Sequence, residues 1–185
     1  MAEVVVETER LGLRHWEPAD LELWRTHLNT PSVRAYLGGI DSDDALAEKF
    51  EKLIGTWARE GFSFLAVDLK PCGTFLGTCG IGRIESDCAP DELRGAVQIG
   101  WQLREDHWGR GYATEAARAM LAFGFETVGL DAIYSQTSAR NRASWGLMEK
   151  LGMRRRADLD YEDPKYPPED NPTMVYALDR AAWQA

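Results

Sequence analysis

Residues 96–103 read AVQIGWQL, 104–107 REDH, and 108–116 WGRGYATEA, followed by an apolar-periodic run to Val128. In the first segment Val97, Ile99, Trp101 and Leu103 alternate with Ala96, Gln98, Gly100 and Gln102, the period of a β-strand. In the last, Ala113, Ala116, Ala117, Met120, Leu121, Gly124, Phe125 and Val128 recur at helical spacing, and Gly129 is a C-terminal stop. Between them, Gly109 and Gly111 let the backbone turn sharply with no Cβ to hold a ligand away. The N–H groups that follow belong to a helix's first turn and lack intrahelical partners. Together with the helix dipole they suit a phosphate, although a plain strand-to-helix turn has the same spacing.

The segment WGRGYATEA resembles the pyrophosphate loop of the GNAT superfamily of N-acetyltransferases, in its RimJ/RimL-type branch. The wider family pattern is Gln/Arg-x-x-Gly-x-Gly/Ala; here Trp108 stands at the first position, a departure usual in that branch, with Gly111 and Ala113 at the other two. The resemblance implies a mixed α/β fold: a mostly antiparallel seven-stranded sheet, splayed between its fourth and fifth strands and flanked by about four helices. It also implies acetyl-CoA as co-substrate, with acetyl passed to a primary amine in a ternary complex and no metal. Gly109, Arg110, Gly111, Tyr112, Ala113 and Thr114 would then cradle the phosphates. QIGW at 98–101 resembles the family's Glu-Ile-Gly-Tyr strand, which bulges at the position of Gly100. By that likeness the pantetheine arm pairs with backbone near Trp101 and Leu103.

RNRASWGLMEKLGM at 140–153 reads as a helix capped by Asn141 and stopped by Gly152. Its Asn-x-x-Ser, Asn141 and Ser144, matches the branch's pattern. By resemblance Asn141 bonds the cofactor arm, and Ser144 sits near the thioester sulfur as a general acid. Many relatives carry a Tyr acid where this chain has Met148, and a Glu where it has Gln98. A Gln cannot hold a proton, so the general base is unassigned. His107 qualifies on chemistry, though a loop histidine there more often serves structure. These departures leave a non-catalytic acyl-CoA-binding or sensing domain as the alternative. Arg104, Arg110, Arg140 and Arg142 lie close enough in sequence to meet phosphates.

A dinucleotide fold is the rival for the glycine loop, with Asp131 twenty positions after Gly111 as ribose ligand. The order is wrong for it. Residues 104–108 intervene between strand and glycine, the third glycine is Thr114, and Asp131 precedes its strand instead of ending it.

Outward from this core, residues 132–138 read as a strand, and 153–161 and 174–178 as the last two, joined by an acidic, Pro-rich loop expected to attract a cationic amine from too far out to deprotonate it. Upstream, Leu11 and Leu13 open a strand, and Asp20 caps a helix to Leu28. Ser42 or Asp43 caps another to about Arg59. In the family this region overhangs the acceptor, which implicates Trp16, Tyr36 and Trp57. Residues 62–69 and 74–84 form two strands around a turn, and Gly77, Gly80 and Gly82 mark a flat or bulged strand against a close neighbour. One domain, residues 8–185, accounts for the order.

The chain has 185 residues, 44% hydrophobic and 28% charged, with net charge −9, a composition ordinary for a soluble domain. An acidic surface disfavours nucleic acid and mildly attracts a cationic amine. No apolar stretch approaches a membrane span, and the N-terminus does not read as a signal peptide. Cys72, Cys79 and Cys88 have no metal-like spacing and suit a reducing, cytoplasmic setting. A homodimer is left open.

Overall fold

The computed structural model describes residues 2–184. One eight-stranded sheet runs in the order β1-β2-β3-β4-β5-β6-β8-β7. Its strands are β1 (Val4–Glu7), β2 (Leu11–Arg14), β3 (Phe64–Leu69), β4 (Thr74–Arg83), β5 (Val97–Leu103), β6 (Ala132–Ser138), β7 (Arg154–Arg155) and β8 (Thr173–Asp179). The helices are α1 (Asp20–His27), α2 (Asp43–Glu60), α3 (Tyr112–Ala122), α4 (Arg142–Lys150) and the short α5 (Arg180–Trp183). All pairings are antiparallel except β5 with β6.

The strand count corrects the expected seven, while the helices agree with the expected four or so, α5 being a single turn. The extra strand is β1, an edge strand whose Val4, Val5 and Val6 run without the alternation that marks a half-buried strand. The expected strand over 153–161 shrinks to the two residues of β7, after which the chain turns through a 3₁₀ segment, Ala157–Leu159, and meets β8 again through the Asp160 carboxylate, which accepts from the Val175 N–H, and a bridge from Tyr161 to Thr173. Asp20 is no cap either. It opens α1 inside the helix, and its buried carboxylate takes two guanidinium N–H groups of Arg14, at 2.6 and 2.9 Å. That guanidinium also bonds Asp68 on β3, and the charge pairing outweighs a cap.

The other boundaries follow local rules. Ser42 accepts from the Ala45 N–H at the start of α2, and Gly61 ends it with φ +74°. α3 continues as one π-helical stretch, Phe123–Val128, stopped by Gly129 at φ +83°. Buried Ala116, Ala117, Met120 and Leu121 press α3 onto the sheet against Leu76, Ile81, Ile99 and Ile133. Beyond β3, Trp16, Trp24, Phe50 and Phe75 pack ring on ring beneath α2.

The glycines of β4 are required by approach, as their spacing suggests. A Cβ on Gly77 would lie 2.1 Å from the Gln102 carbonyl oxygen, and one on Gly80 2.2 Å from the Phe64 Cα. The irregularity lies in β3–β4, where Val67 faces Gly77 and Asp68 faces Phe75, leaving Leu76 as the extra residue. β5 carries no bulge at Gly100, contrary to the expectation, and pairs with β4 without a register shift. Gly100 is small for another reason. The Phe64 ring crosses from β3 and would meet a Cβ on Gly100 at 3.1 Å and one on Gly82 at 2.9 Å.

Candidate active site

β5 and β6 register at a single pair, Gln98 with Tyr134. Above it they part, the splay expected between the strands at 96–103 and 132–138. Ser135 on β6 reaches back to the Ile99 carbonyl at 3.0 Å, and Trp108 closes the far end by donating its indole N–H to the Leu103 carbonyl at 2.6 Å. Both acceptors are odd-numbered, and Arg104 N–H points the other way, to Leu76 of β4. By strand alternation the backbone groups of Trp101 therefore also face the gap.

At the foot of the gap lies the loop. Gly109 and Gly111 have φ +74° and +81°, a conformation that disfavours any residue with a Cβ. Gly111 is the N-cap of α3, and no side chain caps that first turn. The first turn of α3 thus has N–H groups without a side-chain partner, and Gly111 to Thr114 line the cleft. Opposite, Asn141 starts α4 with its Oδ1 accepting from the Ser144 N–H at 3.3 Å, so its amide Nδ2 is the group left to donate elsewhere. Met148 is buried in the core below.

These elements enclose one cleft of about 1480 Å³. The residues expected in the phosphate loop, beside the cofactor arm and as acid line it: Trp101, Leu103, Gly109, Arg110, Gly111, Tyr112, Ala113, Thr114, Asn141 and Ser144. Of the four arginines, Arg110 and Arg142 do so, joined by Lys150. Arg104 is held by Asp106 and the Phe75 carbonyl, and Arg140 lies on Asp170. Of the expected overhanging aromatics only Tyr36 reaches the cleft. Trp16 belongs to the second core and donates to the Phe64 carbonyl, while Trp57 packs on His15 and Phe123. Asp131 is fully exposed and faces Arg180, which removes the ribose-ligand reading.

The Val97 end of β5 is chemically different. Arg83 pairs with Val97, and the loop that follows brings Glu85, Ser86 and Asp87 to the wall. The acidic loop after β7, expected to attract the amine from too far out to deprotonate it, lies closer than that and folds onto this end. Asn171 binds it together, donating its amide to the carbonyls of Asp163, Tyr166 and Pro167. Asp163 is buried and accepts from Ser86 at 2.9 Å, and buried Asp170 accepts from Ser138 at 2.9 Å. Tyr161 bonds Gln136 at 2.6 Å, and Gln136 in turn donates to Gln98 at 2.8 Å. Burial pushes the Tyr161 phenol up to about 12, so it stays protonated at neutral pH. Sequence reasoning missed Gln136, Tyr161, Asp163, Tyr166 and Asp170, which come together only through the tertiary fold. His107 lines the cleft with Nδ1 3.0 Å from an Asp106 carboxylate oxygen.

A sheet that parts over a glycine-opened helix N-terminus defines an acyl-CoA N-acyltransferase fold. The acetyltransferase (GNAT) domain family matches residues 10–154, and the chain belongs to that family. It is 29% identical over 161 residues, 85% of this chain and 87% of the relative, to an N-acetyltransferase called p20 from Bacillus licheniformis whose function is uncharacterised. The crystal structure of an acetyltransferase from Agrobacterium tumefaciens is similar at 30% identity with TM-score 0.76, covering 96% of this chain and 95% of that one. RimL, a ribosomal-protein alpha-N acetyltransferase solved with coenzyme A, shares the fold at 16% identity with TM-score 0.74, covering 96% and 98%. The protein is an acyltransferase enzyme of the GNAT superfamily, with RimL among its structural neighbours. Among the described residues no helix is long and apolar enough to cross a membrane, and no group of His, Cys, Asp or Glu is arranged to hold a metal ion.

Proposed function

We propose that this enzyme transfers acetyl from acetyl-CoA to a primary amine by direct attack in a ternary complex. The observation that carries the reading is the uncapped first turn of α3, set behind two positive-φ glycines at the foot of the β5–β6 gap. Gly109 to Thr114 hold the pyrophosphate, with Arg110, Arg142 and Lys150 supplying the local positive charge that a −9 chain otherwise lacks. The pantetheine amides pair with the backbone of Trp101 and Leu103, and Asn141 Nδ2 donates to the same arm. The amine enters at the end lined by Tyr36, Glu85, Asp87, Tyr161 and Asp163.

Holding thioester and amine side by side supplies much of the rate. Backbone N–H groups facing the gap polarise the thioester carbonyl. The amine nitrogen bonds to the carbonyl carbon, the C–S bond breaks, and Ser144 delivers a proton to the departing thiolate and regains one from the water that takes up the amine's proton. Gln98 takes no proton, so the amine's proton leaves through ordered water. Acceptors of low pKa, α-amino groups above all, suit such a site.

The test is release of free thiol from acetyl-CoA across amine classes, with Gly111→Val as control. The expected result is thiol release with at least one primary amine, and a folded variant that no longer binds CoA by calorimetry. Unchanged affinity in that variant overturns the phosphate assignment.

A further inference from the structure

Glu115 lies in the first turn of α3, where its own N–H bonds the Gly111 carbonyl at 3.1 Å. A carboxylate at that place competes with a bound anion for the positive end of the helix. Here it is turned away and covered by the turn between β1 and β2. Thr8 donates its hydroxyl to Glu115, and Arg10 adds its backbone N–H at 2.9 Å and its Nε at 2.6 Å. Burial alone would raise this carboxyl. The Thr8 and Arg10 hydrogen bonds and the Arg10 charge outweigh it and hold the group below the ordinary carboxylate range.

The same guanidinium reaches further. Its Nη1 donates to the Arg110 carbonyl at 3.1 Å, and its plane lies 4.6 Å from the centre of the Tyr112 ring. Arg110 is flanked by the two positive-φ glycines, so the peptide joining it to Gly111 has little steric resistance to flipping. In a trans peptide the C=O of one residue and the N–H of the next point in opposite directions. Holding the Arg110 carbonyl back toward Arg10 therefore turns the Gly111 N–H away from Arg10, to the cleft side.

We propose that Arg10, outside the cleft, is a positioning residue that latches the Arg110–Gly111 peptide so that the Gly111 N–H faces the pyrophosphate. The inference rests on the reading of the loop as a phosphate cradle. It makes affinity for the phosphate portion of the donor depend on a residue some hundred positions away in sequence.

The discriminating experiment compares acetyl-CoA with S-acetylpantetheine, which lacks the pyrophosphate, as donors for wild type, Arg10→Met and Arg10→Lys. Wild type should favour acetyl-CoA. Both variants should lose ~10-fold or more in kcat/KM for acetyl-CoA, chiefly through KM, the effect of one charge-assisted hydrogen bond. With S-acetylpantetheine they should match wild type. Lysine keeps the charge and cannot span Glu115 and the Arg110 carbonyl together, so it serves if the methionine variant fails to fold. If the variants are folded and keep the wild-type preference, or lose both donors equally, the latch is wrong while the cradle stands. If wild type itself does not distinguish the donors, the cradle falls and the latch with it.

Discussion

Gln136 donates its side-chain amide N–H to Oε1 of Gln98 at 2.8 Å, and Gln98 is the β5 residue that registers with Tyr134 of β6. Tyr161 fixes Gln136 from behind at 2.6 Å. The Gln98 side chain is thus held by two neutral side chains, Gln136 and Tyr161, and is itself unable to take up a proton. Turnover should follow the acceptor's own ionisation. An amine is protonated and unreactive below its pKa, so kcat/KM should rise with pH, on a limb near ~8 for an α-amine and near ~10.4 for an alkylamine. Gln98→Glu can still accept from Gln136 and should move the limb to lower pH. Profiles with two amines decide the matter. One shared limb near ~6–7 would mean that an enzyme base exists, and His107→Ala would then be examined.

Ser144 contributes its backbone N–H to the Asn141 cap and lines the cleft. Ser144→Ala should leave the helix intact and reduce kcat by ~10²-fold, the low end for a lost proton donor. CoA affinity should change little. Equal losses in affinity and turnover would make Ser144 a binding contact instead.

Gly80 faces backbone on the next strand, with the Phe64 Cα only 2.2 Å and the Ser63 carbonyl oxygen 2.5 Å from where a Cβ would lie. Neither atom can swing aside. Gly80→Ala should destabilise the fold by about 3 kcal/mol, the upper range for overpacking. Urea unfolding measures it, and a loss under ~0.5 kcal/mol would mean that the strands part more easily than their register implies.

Acid should test the Glu115 contacts. Its carboxyl is held below its ordinary value, so its contribution to stability is fully present above the unfolded pKa of ~4.3 and is lost as pH falls through the lower folded pKa. Glu115→Gln should be less stable than wild type at pH 7, and the gap should close on acidification below about pH 4. A gap independent of pH would show that the charge of Glu115 plays no part.

The glycine loop, the strand before it and both flanking helices were legible because each is encoded within a few residues. Alternation gives β5, period gives α3, and Asn141 and Gly152 bracket α4. What could not be read is held together at long range. The loop after β7 has no period. It is tied by one asparagine to three carbonyls and by Ser86 and Ser138 to two buried aspartates. Its Tyr161 meets a glutamine on β6, a pairing that no spacing announces. Arg10 was unreadable for the same reason, since its partners sit on the far side of the sheet's sequence order.

The ring of Phe64 imposes a direction on how this sheet can change over generations. A methyl at position 82 or 100 collides with that ring at 2.9 or 3.1 Å, whereas at position 80 it collides with the chain itself. A lineage can therefore acquire alanine at 82 or 100 cheaply only after residue 64 has become smaller, and position 80 gains no such freedom. In descendants of this chain, loss of the aromatic ring should be the older event and loss of those two glycines the younger.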